Sequence, residues 1–186
     1  MKEFKILSPD KLKAKARAKV KAFQAEKRRQ EVKGKMEALK AAREAEEEKK
    51  TEKERLNAKF LEAAEDGDVD AVRLFLREGD ASANAFDPKD GAPALVKAAS
   101  RGKIVVVGIL LDAGAKIDAW DNFGWTALMK AAFAGHNQLV KLLLERGANS
   151  RQANTKNDTA LEMAQIRGHQ EIVDIIEEHR KTEENV

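Results

Sequence analysis

Cysteine and tyrosine are absent from this chain of 186 residues, and proline occurs only three times. The lack of cysteine excludes disulfides and thiolate metal sites, and it suits a reducing compartment. No apolar run approaches the ~18 residues that cross a bilayer, and no uninterrupted apolar segment follows Met1 as in a secretory signal. We therefore expect an intracellular, cytoplasmic protein, and a nuclear or organellar location stays open.

Motifs for catalysis are also missing. The sequence has no glycine-rich phosphate loop, no nucleophile elbow and no His-Glu-x-x-His pair. His136 and His169 follow Gly135 and Gly168 at a spacing of 33 residues, which predicts structural repeat histidines. We expect a protein that is not an enzyme, with no catalytic residue, no cofactor and no metal site.

Charge is distributed unevenly along the chain. Residues 1–55 hold 19 basic and 11 acidic side chains, whereas residues 56–186 hold 16 and 21. The first part is composed mainly of strong helix formers, and Ser8-Pro9-Asp10 is typical of a helix start. The sequence predicts a basic helical arm over residues 1–55, joined to a mildly acidic domain.

Two interpretations of the arm stay open. Val32, Met36 and Leu39 have coiled-coil spacing, but Arg43 and Glu46 follow them, so the alternative is a solvated single helix resting on a partner. Residues 1–35 carry 13 basic and 4 acidic side chains, a density that favours contact with nucleic acid or an acidic protein. The candidate polyanion-binding residues are Lys11, Lys13, Lys15, Arg17, Lys19, Lys21, Lys27, Arg28 and Arg29. A basic, soluble helix without such a partner explains the composition equally well.

Three residue series repeat along the rest of the chain at a spacing of 33 to 35 residues. They comprise single glycines, alanine pairs and aliphatic pairs, for example Gly102 and Gly135, Ala98-Ala99 and Ala131-Ala132, and Leu110-Leu111 and Leu143-Leu144. A period of this size predicts an array in which each unit buries its apolar face against its neighbours. The small alanines fit where two helices approach closely, and the glycines fit left-handed helix ends.

The segment Gly124-Trp125-Thr126-Ala127-Leu128-Met129 resembles the Gly-x-Thr-Pro-Leu-His motif of the ankyrin repeat, with Ala127 in place of proline and Met129 in place of histidine. The resemblance covers residues 56–180. It implies an all-α solenoid of helix-turn-helix units with short β-hairpin-like loops, preceded by a long charged α-helix. The expected repeats span about 55–85, 86–119, 120–152 and 153–178, two residues are inserted near Asp80–Asp90, and residues 181–186 are expected to form a flexible tail.

Ankyrin arrays usually meet their partners through loop tips and the exposed face of the first helices. Carried onto this chain, the expected protein-binding residues are Lys89, Asp90, Arg101, Asn122, Phe123, Trp125, Phe133, Lys156, Asp158 and Arg167. The aromatic residues of repeat three are the main candidates for anchors. The alternative is that Trp125 and Phe133 cover neighbouring repeats and bind nothing.

The expected function is a scaffold or adaptor. The ankyrin surface would bind one or more proteins, and the basic helix would dock to a second component of an assembly. A subunit associated with nucleic acid or a ribonucleoprotein is the alternative, and a regulatory subunit of an enzyme is a third interpretation.

Overall fold

A computed structural model describes residues 9–79 and 81–184, so the predicted cap Ser8 lies outside the described residues. Its eight α-helices are α1 (Pro9–Asp66), α2 (Val69–Glu78), α3 (Ala94–Ser100), α4 (Ile104–Asp112), α5 (Ala127–Ala134), α6 (Asn137–Glu145), α7 (Ala160–Arg167) and α8 (Gln170–Glu184). Extended pairing among these residues is limited to two isolated bridges, Phe86 with Pro93 and Trp120 with Thr126. The predicted all-α fold with short hairpin-like loops is confirmed.

The chain divides into two compact units, residues 1–51 and 52–186. In the first unit, α1 continues through Gly34 without interruption. Every residue from Lys13 to Thr51 is exposed, so this part of the helix buries none of its apolar side chains. No helix in the described part of the chain is long and apolar enough to cross a bilayer.

In the second unit, successive helices form antiparallel pairs that stack in two layers. The first helices of the pairs pack side by side, α3 on α5 and α5 on α7, and the second helices do the same, α4 on α6 and α6 on α8. The last part of α1 serves as the first helix of repeat one, because Phe60 lies within the core and its ring meets that of Phe75 on α2 at 6.1 Å.

The alanine series lies where the first helices touch. Ala98, Ala99, Ala131, Ala132 and Ala164 are fully buried, and one apolar core runs continuously from Phe60 to Ile176. Small side chains let the helix backbones approach closely, and the buried aliphatic residues of the second helices fill the space between the two layers. Each repeat thus contributes one pair of helices to a shared core.

Helix ends follow the sequence signals. The Thr126 hydroxyl caps α5 by accepting from the Met129 N–H at 3.3 Å, and Thr159 with Glu162 forms a capping box on α7. Hydrogen bonding from Thr159 lowers the pKa of Glu162. Gly135 and Gly168 end these two helices in the left-handed conformation.

The predicted flexible tail over residues 181–186 begins within a helix. Helix α8 includes residues 181–184, while the last two residues lie outside the described part. The Arg180 guanidinium donates to the backbone carbonyl and the hydroxyl of Ser150, and His179 Nε2 lies 3.3 Å from a Glu183 carboxylate oxygen. These contacts lie in the last two turns of the helix, beyond its last buried residue, Ile176.

Candidate protein-binding surface

The loop tips of repeats three and four are hairpins that each close around one buried polar side chain. The Asp121 carboxylate accepts from the N–H groups of Phe123 and Trp125, both at 2.9 Å. The Asn154 side-chain oxygen likewise accepts from the N–H groups of Lys156 and Asp158, at 2.8 and 2.9 Å. Since Asp121 is only 4% exposed, its hydrogen bonds fix the tip conformation and direct the intervening side chains outward.

Neighbouring tips are also bonded to one another. The Asn122 N–H donates to the Asp90 carbonyl at 2.9 Å, and the Thr155 N–H donates to the Phe123 carbonyl at 3.1 Å. Gly124 permits the second contact, because a Cβ there would lie 3.0 Å from the backbone of Asn154 and Thr155. The tips therefore form a ladder with fixed spacing.

The tip of repeat two is longer than the others. The hydrogen bond that closes this tip joins the Asp87 N–H to the Ala92 carbonyl at 3.0 Å. It spans one residue more than the equivalent bond of repeat three, from the Asp121 N–H to the Trp125 carbonyl. One of the two inserted residues therefore lies in this tip, and the other precedes Asp87. The insertion places Lys89 at an exposed position on the tip.

The aromatic residues of repeat three contribute to packing as well as to the surface. The rings of Trp125 and Phe133 meet edge to face with centroids 5.4 Å apart, and both side chains are half-buried against the core. The Lys130 ammonium lies 4.5 Å from the Trp125 ring, and the Arg167 guanidinium lies 4.6 Å from the Phe133 ring. Cations stacked on the rings leave only part of each aromatic side chain for a ligand.

Two apolar residues beside this cluster are much more open. Phe123 is 61% exposed at the tip of repeat three, and Ile166 is 66% exposed near the end of α7. Ile166 occupies the repeat position of Phe133, 33 residues farther along. We call Phe123, Trp125, Phe133 and Ile166 the aromatic surface. Trp120, also exposed, lies on the loop before the tip with Ile117 and Ala119.

Cations and carboxylates pair with one another on the surface of repeats one and two. Lys97 Nζ lies 3.1 Å from Asp87, 3.8 Å from Asp90 and 3.9 Å from Glu65, and Arg101 contacts Glu65 at 2.8 Å. Burial lowers the pKa of Lys97, but the hydrogen bond to Asp87 and the surrounding carboxylates raise it overall. A hydrogen bond from the Lys89 N–H holds the pKa of Asp87 below its ordinary value. Both Lys97 and Arg101 are thus paired with carboxylates here.

The predicted binding residues therefore fall into two groups. Those with exposed side chains are Lys89, Arg101, Asn122, Phe123, Lys156 and Arg167, and those half-buried are Asp90, Trp125, Phe133 and Asp158. Sequence reasoning missed Asp87, Asp121 and Asn154, which shape the tips. Asp121 follows Asp87 by 34 residues and Asn154 follows Asp121 by 33, and this repeat spacing is the sequence signal that could have identified them.

The candidate polyanion-binding residues lie along α1. Lys13, Lys15, Arg17, Lys19, Lys21, Lys27, Arg28 and Arg29 are exposed, and the side chain of Lys11 lies outside what the structure describes. None of these eight side chains forms an ion pair with another described residue. Their positive charge is available to a partner.

The repeat histidines join adjacent units. His136 Nε2 lies 3.3 Å from the Ser100 carbonyl and His169 Nε2 lies 3.2 Å from the Phe133 carbonyl, each against a helix-ending glycine of the preceding repeat. The structural role predicted for both residues is confirmed. Within residues 9–79 and 81–184, no three His, Asp or Glu side chains converge as metal ligands.

Comparison with known families agrees with this architecture. A family model described as ankyrin repeats (3 copies) matches residues 60–154 and 117–185. A search of curated proteins gives no match. The matched ranges cover all four structural repeats except the start of the first.

Proposed function

The chain belongs to the ankyrin-repeat family, and on that premise we propose that it is a non-enzymatic adaptor. Ankyrin repeats are generally modules of protein–protein interaction. In this proposal the aromatic surface and the loop tips bind one partner protein, and the basic helix docks to a second component of an assembly.

The observation that supports this function best is the exposure of Phe123 and Ile166 beside a half-buried aromatic pair. Large apolar side chains exposed on a rigid surface are typical anchors of protein interfaces. Arg167 places positive charge on the same area, whereas Lys130, which is stacked on Trp125, pairs with Asp121. The arrangement fits a partner segment with apolar anchors and neighbouring carboxylates.

Affinity capture with the full chain tests the proposal. The Phe123→Ala/Ile166→Ala double variant should recover the partner at least ~10-fold less efficiently, because it removes two exposed anchors. The matched control is Leu74→Ala/Val105→Ala, which removes two exposed apolar side chains from α2 and α4 on the outer layer. Equal recovery by the two variants would contradict the proposed surface.

A second candidate function is binding of nucleic acid by the arm. It is supported by eight exposed cations between Lys13 and Arg29, none of which forms an ion pair with another described residue. If they contact phosphates, the affinity for a single-stranded oligonucleotide should fall by an order of magnitude or more between about 50 and 200 mM salt. An affinity that does not depend on salt would contradict this candidate function.

We also propose an intracellular, cytoplasmic location. The absence of cysteine from all 186 residues supports a reducing compartment. Fluorescent tagging of the full chain at its C-terminal end would test it, and accumulation in the nucleus or an organelle would contradict it.

A further inference from the structure

An apolar seam runs along α1 in the first unit. Val32, Met36 and Leu39 are 60%, 63% and 54% exposed, and they share one side of the helix because each residue advances by about 100°. Toward the amino-terminal end, Ala25, Ala22 and Ala18 lie on the same side of the helix. Arg29, between Ala25 and Val32, is the one polar residue in this row. The intervals alternate between three and four residues for about three heptads, which is the pattern of a coiled-coil seam. We call these seven residues the seam.

The residues that border the seam are almost all basic. Lys19, Lys33 and Lys40 lie on one side together with Glu26, and Lys21, Arg28 and Lys35 lie on the other. All seven are exposed, and among contacts between described residues Lys40 alone of the six cations has an ion pair, 3.8 Å from Glu44. These border positions determine which helix a coiled coil accepts as its partner.

Pairing of the seam with a second copy of the chain is disfavoured by these charges. In a parallel pair, Lys21 would face Glu26, but Arg28 would face Lys33 and Lys35 would face Lys40. In an antiparallel pair, each border would face a border that is itself mostly basic. Like charges at these positions oppose association.

We propose that the seam binds an amphipathic helix of another protein whose border positions are acidic. Such a helix buries Val32, Met36 and Leu39 and pairs its carboxylates with the six border cations. Arg29, within the seam, sets the register by pairing with an acidic residue at the facing position. The inference rests on the proposed docking role of the basic helix and specifies its partner as an acidic helix.

The opposite side of α1 provides a matched control. Val20 and Phe23 are 56% and 73% exposed and lie about 150° around the helix from the centre of the seam. Val32→Glu/Met36→Glu and Val20→Glu/Phe23→Glu each replace two exposed apolar residues with two carboxylates. Both variants change the net charge of the arm equally, so they differ in the face that they alter.

The probe is a synthetic helix of three heptads with Leu at its seam positions, Glu at its border positions and one Glu placed opposite Arg29. A scrambled peptide of identical composition is the negative control. Binding to the full chain is followed by fluorescence anisotropy. We expect the probe to bind in preference to the scrambled peptide, with at least ~10-fold loss in Val32→Glu/Met36→Glu and less than ~3-fold loss in Val20→Glu/Phe23→Glu.

Three outcomes would overturn the inference. Equal binding of the probe and the scrambled peptide, or equal losses in the two variants, would show that charge alone acts, as for a nucleic acid. A concentration-dependent dimer that Val32→Glu/Met36→Glu dissociates in sedimentation velocity would assign the seam to a second copy. None of these results affects partner capture by Phe123 and Ile166, so the proposed array function is tested separately.

Discussion

At the scale of single residues, the geometry of the binding surface depends on a few buried polar groups. Asp121 closes the tip of repeat three and also lies 3.2 Å from Lys130, whose ammonium is stacked on Trp125. One carboxylate therefore positions the exposed Phe123 and the half-buried Trp125 together. Asn154 closes the next tip with an uncharged amide oxygen, so a negative charge is not needed to hold the hairpin closed.

Gly124 provides the sharpest test at this scale. Gly124→Ala should destabilise the chain by about 1–3 kcal/mol more than Gly147→Ala in urea unfolding, because the new methyl group would press on the backbone of Asn154 and Thr155. Both glycines have a positive φ, 77° and 85°, but Gly147 faces open space. The control thus isolates crowding from backbone strain, and equal destabilisation by the two changes would contradict the tip ladder.

The residues that sequence analysis found and those that it missed differ in physical character. The helix-ending glycines were predictable because a left-handed backbone favours one residue type. Asp87 and Asp121 were not singled out because aspartate is common in this chain and its hydrogen bonds depend on the tip conformation. The pairing of Arg101 with Glu65 joins residues 36 positions apart, and Glu62 and Asp66 were equally plausible partners from the sequence.

At the scale of elements, the alanine series determines how closely the first helices pack. Ala132→Leu on α5 should destabilise the chain by about 1–3 kcal/mol, because Ala132 is fully buried in a layer between α3 and α7. Ala134→Leu on the same helix is the control, since Ala134 is exposed and should change stability by less than ~0.5 kcal/mol. Urea unfolding measures both values, and a similar effect of the two substitutions would contradict the stacked core.

Helix boundaries were predictable where a capping residue marks them and uncertain elsewhere. Thr126 and Thr159 are the N-caps of α5 and α7. Asn57 could have started the first helix of repeat one, but its side chain donates to the Phe86 carbonyl at 3.2 Å, and α1 passes through the predicted boundary between the arm and repeat one. The last turn of α8 depends on contacts of Arg180 with Ser150, which lies in the loop after α6 and could not be inferred from the local sequence.

At the scale of the whole molecule, each unit presents a surface of distinct chemistry. The first unit is an exposed helix with an apolar seam between basic borders. In the second unit, Lys97 and Arg101 of repeat two pair with carboxylates of repeats one and two, and an aromatic pair with two stacked cations lies at repeats three and four. The period of the repeats and the overall charge asymmetry were predictable from the sequence. The individual ion pairs were not, because Lys97 and Arg101 meet Asp87 and Glu65 through the fold.

The central claim is that a partner protein covers the aromatic surface of repeats three and four. Hydroxyl-radical footprinting of the full chain, alone and with the partner recovered by affinity capture, reports side-chain exposure at each position. We predict that oxidation of Phe123 and Ile166 falls at least ~5-fold on binding, while oxidation of Leu74 and Val105 on the outer helices is unchanged. Protection of Leu74 and Val105, with Phe123 and Ile166 as reactive as in the free chain, would contradict it.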